Sequence, residues 1–255
     1  MLFKPKKAKK ADGFKTEVGR SEYDAKRILN DNTSFDVREA FNELKTNVIF
    51  SMTDKGTKKI LVTSSFAAEG KSTTSLNLAI SLAENNRKVL LVDCDLRRPN
   101  VGRLLQFDEK KGLSNILVNE CEIGEALHKT KYANLDVVLT GSTPPNPTEL
   151  LSSEGMQAFV DNVSQHYDYV ILDTPPVNLV TDAVILSRLV NGVIIVCRQY
   201  VTEKKMLLSA VEKLRFVNAK ILGVVLNDVA TAKADYGKYG YYNGANNSTN
   251  IEKAK

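Results

Sequence analysis

The sequence predicts an α/β domain, a mostly parallel central sheet with helices on both faces. Three observations carry that prediction. Six short runs rich in Val, Ile and Leu recur along the chain, helical patterns separate most of them, and the polar motifs fall at the carboxyl ends of the runs. Uninterrupted apolar runs belong to strands buried on both faces, which need crossover helices and gather ligands at their carboxyl ends. A chain of 255 residues suffices for one such domain.

Residues 1–32 are polar and lysine-rich with no sustained period, and read as a flexible basic arm. Residues 1–20 hold seven basic groups (Lys4, Lys6, Lys7, Lys9, Lys10, Lys15, Arg20) against Asp12 and Glu17. That net +5 equals the formal charge of the whole chain, so the remaining residues are neutral overall. A neutral core excludes the basic surface of a nucleic-acid-binding domain. The arm itself suits an anionic membrane surface or an acidic partner, or serves only solubility.

The folded domain is expected over 33–227. Val37, Phe41, Leu44 and Val48 recur at helical spacing and predict a helix from Ser34 to Phe50. The strand-like runs follow at 59–64, 88–95, 135–141, 168–176, 192–197 and 220–227, with helices over 70–86, 148–165, 180–190 and 202–217. After Asn227 the rhythm stops, and residues 228–255 are expected to be a disordered tail. The basic start is not followed by an apolar run of the kind a secretory signal needs. No apolar run approaches the roughly 20 residues that span a bilayer. Cys94, Cys121 and Cys197 form no CxxC pair, which fits a reducing cytoplasm.

The segment "SSFAAEGKSTTSLNLA" joins the first strand to its helix. Gly70-Lys71-Ser72 has the chemistry of a phosphate-binding loop. Backbone N–H groups and a helix N-terminus cradle the phosphate oxygens, the lysine neutralises them, and the serine hydroxyl ligates Mg²⁺. The strict pattern places glycine six positions before the lysine, where Ser65 stands here. Two acidic segments strengthen the reading. "LLVDCDLRRP" ends the second run with Asp93 and Asp95, two residues apart and so on one side of an extended chain, and "VILDTPP" ends the fourth with Asp173. Acids at buried strand ends are costly unless they serve a site, and beside a phosphate loop they can hold Mg²⁺ and supply a base.

These three segments resemble the bacterial tyrosine kinases that control capsule and exopolysaccharide synthesis. That family has a P-loop NTPase fold with Walker A, A′ and B motifs. The resemblance extends to "GSTPPNPTELLSS", to the helix "REAFNELKTNV", similar to the family's self-association segment, and to the terminal tyrosine cluster. It implies that ATP is held by Glu69, Gly70, Lys71, Ser72 and Thr73, with Asn227 where related ATPases read adenine. It implies Asp93 as the base that receives the tyrosine proton. Mg²⁺ and its waters fall to Ser72, Asp95 and Asp173. Arg97 and Arg98 are open between steadying phosphates or acceptor and being ordinary exposed arginines. Asn42 and Lys45 stand in the self-association helix where arginines are expected, and Arg38 is shifted.

The resemblance also implies partners: a transmembrane polysaccharide chain-length protein that activates the kinase through its cytoplasmic tail, a ring of identical subunits, and a protein-tyrosine phosphatase. The kinase is then cytoplasmic and recruited to the inner face of the membrane. The stretch "DYGKYGYYNG" packs Tyr236, Tyr239, Tyr241 and Tyr242 into seven residues, out of nine tyrosines in all. A glycine-spaced tail of this kind suits a phosphoryl acceptor, because any of the four rings can reach a site. The alternatives are an aromatic docking tail on a partitioning or division-site ATPase, or a scaffold that binds nucleotide without turnover. No [NT]KxD base-reading motif of a GTPase occurs, and GxGxxG, HRD and DFG of the eukaryotic kinases are lacking.

Overall fold

The computed structural model describes residues 27–230 except 54, 85, 108 and 109. The first described helix, α1 (Phe35–Ser51), leads into β1 (Lys58–Ser64), α2 (Lys71–Ala83) and β2 (Val89–Asp93). Three short helices follow, α3 (Val101–Leu105), α4 (Leu113–Leu117) and α5 (Ile123–Ala126), then the strands β3 (Leu127–Lys129) and β4 (Leu135–Val138). The chain continues through α6 (Pro147–Leu151), α7 (Glu154–Val163), β5 (Tyr169–Asp173), α8 (Asp182–Leu186), β6 (Gly192–Arg198), α9 (Lys204–Phe216) and β7 (Ile221–Asn227).

The strands form one seven-stranded sheet in the order β3-β4-β2-β5-β1-β6-β7. Every pairing is parallel except β3 with β4. The alternation of strand side chains builds two cores, one on each face. Ile60, Val62, Leu91 and Ile171 face a core completed by α1, α2 and α3, whereas Leu61, Leu90, Val92 and Leu172 face one completed by α4 and α6 to α9. β1, β2 and β5 are central and buried along most of their length, which is why their sequences read as unbroken aliphatic runs.

The expected strands and principal helices are present. Differences arise where length or local period gives no signal. The three-residue antiparallel β3 and the helices α3 to α5 fill the stretch 101–129, which has no sustained apolar rhythm. The expected helix at 148–165 is divided into α6 and α7, and that at 180–190 starts as α8 and tightens into a 3-10 turn over Ser187–Leu189. In α1 only Val48 is fully buried, Phe41 and Leu44 pack at its margin, and Val37 is exposed.

Residues 27–32 belong to the folded domain rather than to the arm. Ile28 and Leu29 are buried. Asn77 of α2 fastens this entry segment, accepting from the Leu29 N–H at 2.9 Å and donating to the Arg27 carbonyl at 2.9 Å. Asp228 likewise continues the fold beyond β7, accepting from Arg198 and lying 4.0 Å from Arg27. The arm up to residue 26 and the tail from residue 231, with its four tyrosines, lie outside the described residues.

Candidate active site

The sheet order places the carboxyl ends of β1, β5 and β2 side by side. From β1 the chain enters the loop 65–70 and then α2. Gly70 is the N-cap of α2 and has φ +94°, a conformation that glycine adopts without a Cβ clash. A Cβ there would also stand 2.0 Å from the Asn227 side-chain amide, which would have to move aside. Beyond Gly70 the first-turn N–H groups of α2, from Lys71, Ser72 and Thr73, have no acceptor within the helix and present the positive end of its dipole.

The register of β2 against β5 sets Asp93 directly opposite Asp173. Both carboxylates are fully buried, and Asp95 is nearly so. Lys71 reaches from the start of α2 into this group, 2.8 Å from an Asp95 oxygen and 3.7 Å from Asp173 Oδ2, and its ammonium donates to Ser72 Oγ at 3.2 Å. Burial lowers the Lys71 pKa, but Asp173 and Asp95 outweigh burial and hold it above its ordinary value. Burial, and then the neighbouring Asp173 charge, push Asp93 up to about 7. Asp173 is also raised, by burial, with Lys71 opposing.

Hydrogen bonds fix each carboxylate in place. Asp93 Oδ2 accepts the N–H groups of Asn100 and Val101 at 3.1 and 3.0 Å, at the start of α3, and Oδ1 accepts the Asp95 N–H at 3.1 Å. Asp173 Oδ1 accepts from Ser75 Oγ at 2.9 Å, whereas its Oδ2 is buried and, among the described residues, has no hydrogen-bond donor. That orphaned oxygen, beside the Ser72 hydroxyl and Asp95, makes an all-oxygen donor set suited to a hard cation such as Mg²⁺.

The sequence-predicted residues divide by position. Lys71, Ser72, Asp93, Asp95 and Asp173 come together. Gly70 and Thr73 flank them in the loop–helix turn. The Glu69 carboxylate is engaged inside the protein by Ser65, Phe66 and Thr202. Asn227 stands over the same loop and donates to the Glu69 carbonyl at 3.0 Å. Arg97 turns away from the acidic group and pairs with the fully buried Asp182, its Nε donating at 2.9 Å, and donates to Thr148 Oγ1 at 2.7 Å. Arg98 is exposed and, among the described residues, has no side-chain partner. Asp182, Thr148 and Thr202 were not legible as site supports, because the elements that bear them are brought in by the topology and not by any local pattern.

Fold and site together define a P-loop nucleotide-binding α/β domain with an acidic centre at the ends of two adjacent strands. The AAA domain family matches residues 57–222. The chain is 37% identical to the tyrosine-protein kinase YwqD of Bacillus subtilis over 82% of this chain and 87% of that one. It is 33% identical to the putative tyrosine-protein kinase CapB of Staphylococcus aureus over 85% and 94% of the two chains. Among solved structures, the kinase domain of the Escherichia coli tyrosine kinase ETK superposes with a TM-score of 0.76 at 31% identity, over 80% of each chain. The septum site-determining protein MinD of Pyrococcus horikoshii shares the fold at 23% identity, with a TM-score of 0.60 over 69% of this chain and 72% of that one. The chain belongs to the bacterial tyrosine-protein kinase family. Its reaction is phosphoryl transfer to protein tyrosine, and the division-site reading of the sequence gives way to it.

Proposed function

We propose that this kinase uses ATP to phosphorylate its own tail at Tyr236, Tyr239, Tyr241 and Tyr242, and that it regulates capsular or exopolysaccharide synthesis and export. The observation that carries the site assignment is the meeting of Lys71 with Asp95 and Asp173 at the foot of a glycine-capped helix. The α2 N-terminus and the loop amides bind the triphosphate, and Lys71 leaves its carboxylates to neutralise the phosphate oxygens. Asp93, with a pKa pushed up to about 7, is matched to take the tyrosine proton. The phenolic oxygen bonds the γ-phosphorus as the bridge to ADP breaks. Ser72, Asp95 and Asp173 would hold Mg²⁺, which when bound neutralises charge on the phosphate oxygens. Lys71 now lies against Asp95 and Asp173, two of the carboxylates that would hold the cation, so its move to the phosphate oxygens would free them for that role. Asn227 recognises adenine after releasing the loop carbonyl it now contacts.

No described helix is long and apolar enough to cross a membrane. Placement at the inner face of the membrane is accordingly assigned to a transmembrane chain-length protein whose cytoplasmic tail activates the kinase. Ring-like association of subunits and reversal by a protein-tyrosine phosphatase complete the cycle. The test is mass spectrometry of the tail peptide after incubation of the purified chain with Mg²⁺ and ATP. It is run with and without a peptide from the activating partner, with Lys71→Met as control. Phosphate on the four tyrosines, absent from Lys71→Met, is the expected result. A bare tail with steady ATP hydrolysis, activator included, would sink the autophosphorylation reading.

A further inference from the structure

The phosphate loop carries a carboxylate one residue before its glycine, where an anion is meant to dock. A free glutamate there would repel the triphosphate. Glu69 is instead only 2% exposed, and its charge is consumed internally. Ser65 Oγ donates to both carboxylate oxygens at 2.8 and 2.9 Å, and the Phe66 N–H donates to Oε2 at 2.9 Å. Thr202 Oγ1, from the turn after β6, donates to Oε1. The same hydroxyl accepts the Arg198 N–H at 2.8 Å, so both its donor and an acceptor position are used.

The main chain of Glu69 is held as well. Asn227 Nδ2 donates to its carbonyl at 3.0 Å, and the Asn227 carbonyl accepts the Gln199 N–H at 3.0 Å. Three segments therefore converge on one residue: the phosphate loop, the turn 199–202 and the end of β7. Ser65 and Phe66 open the loop and Glu69 closes it, so the carboxylate folds the first half of the loop onto the second. Thr202 then ties that fold to the β6 side of the domain. Hydrogen bonds to an ionised acceptor are the strong ones, and a buried carboxylate deprived of them is costly.

We propose that Glu69 is a positioning residue: its carboxylate, anchored by Thr202, sets the shape of the phosphate loop and couples ATP affinity to the turn after β6. The proposal rests on the reading of this loop as the ATP site. Glu69 does not contact the nucleotide through its carboxylate, and Thr202 acts only through Glu69.

The experiment is a calorimetric titration of Mg²⁺–ATP into the full chain and its variants, with melting temperatures recorded in the absence of nucleotide. Thr202→Val should weaken ATP binding about tenfold, the scale of one hydrogen bond to a charged group, with little change in melting temperature. Thr202→Ser restores the hydroxyl and should bind within roughly twofold of the original chain. Glu69→Gln keeps the volume but, with its amide oxygen on the Phe66 N–H, turns an NH2 donor toward the Ser65 and Thr202 hydroxyls, and should weaken binding at least as much as Thr202→Val. The double variant should bind no more weakly than Glu69→Gln alone, because both changes break one unit. Wild-type affinity in Thr202→Val, or losses that multiply in the double variant, would overturn the proposal. Should Thr202→Val fail to fold, the pair Glu69→Gln and Thr202→Ser decides it, since unaltered affinity in Glu69→Gln is equally fatal. An original chain that binds no ATP overturns the nucleotide reading itself, a result distinct from either.

Discussion

Asp93 and Asp173 stand level on adjacent strands with no exposure to solvent, and the burial of Asp93, reinforced by the neighbouring Asp173 charge, has a measurable consequence. The Asp93 pKa rises from 3.8 to about 7, so between those values the folded chain holds a proton that the unfolded chain has released. Stability is then fullest below the unfolded value and is lost as pH rises through about 7. The upward shift of Asp173 acts in the same direction. The nucleotide-free chain should accordingly show a higher urea midpoint at pH 6 than at pH 8, and Asp93→Ala should shrink that difference. A midpoint that rises between those two pH values would contradict the assignment. For Asp93 in its proposed role as the base the sign reverses, because a base must be deprotonated to act. The acid limb of kcat/KM for tail phosphorylation should fall near pH 7, with the rate lost below it. At the neighbouring Arg97, the ion pair with buried Asp182 predicts a structural effect. Arg97→Ala leaves a buried carboxylate with Thr148 alone and should cost about 2 kcal/mol in urea unfolding, whereas Arg98→Ala should change stability little.

Among the elements, the entry segment 27–32 shows how sequence and fold part company. Its composition reads as a continuation of the basic arm, yet Ile28 and Leu29 are buried and Asn77 ties the segment to α2 across 48 residues of chain. Leu29→Ala should therefore destabilise the domain by about 2–4 kcal/mol, a core-sized loss readable by thermal or urea unfolding. A loss below about 0.5 kcal/mol, typical of a surface position, would return the segment to the arm. The central strands were legible because burial on both faces leaves no polar alternation to hide them, and the acids at their ends stood out against that background. Asp93, Asp95 and Asp173 stood out this way and Lys71 through its glycine–lysine–serine loop; the β2–β5 register sets Asp93 opposite Asp173, and the start of α2 brings Lys71 to Asp95 and Asp173. The supports were not legible. Glu69 meets Thr202 across 133 residues and Asn227 across 158, contacts that only the β1-β6-β7 order creates. The short β3 and α3 to α5 escaped for another reason, since three to five residues are too few to display a period.

For the whole molecule, the proposed tail phosphorylation and ring assembly are linked through charge. The chain carries a formal +5. Four phosphotyrosines would add roughly −6 to −8 at neutral pH, which takes the total from +5 to about −1 to −3. In the proposed ring of subunits, with each tail entering a neighbour's site, that charge would arrive at the contact itself. It would lie close to Asp93, Asp95 and Asp173, which already repel one another. The helix α1 offers a weaker hold than an arginine-rich one, because Arg38 is occupied within its own chain by the Asn30 carbonyl at 2.8 Å and by Glu84. Lys45 donates to Asn42 on the same helix and lacks the arginine fork. Association should thus depend on the tails more than on α1. Sedimentation velocity of the full chain before and after incubation with Mg²⁺ and ATP should show the larger species giving way to a smaller one. A variant with all four tail tyrosines changed to phenylalanine should keep its size after the same treatment, since the rings remain but no charge is added. Equal sedimentation of the phosphorylated and unphosphorylated chains would separate assembly from the tail and return it to α1.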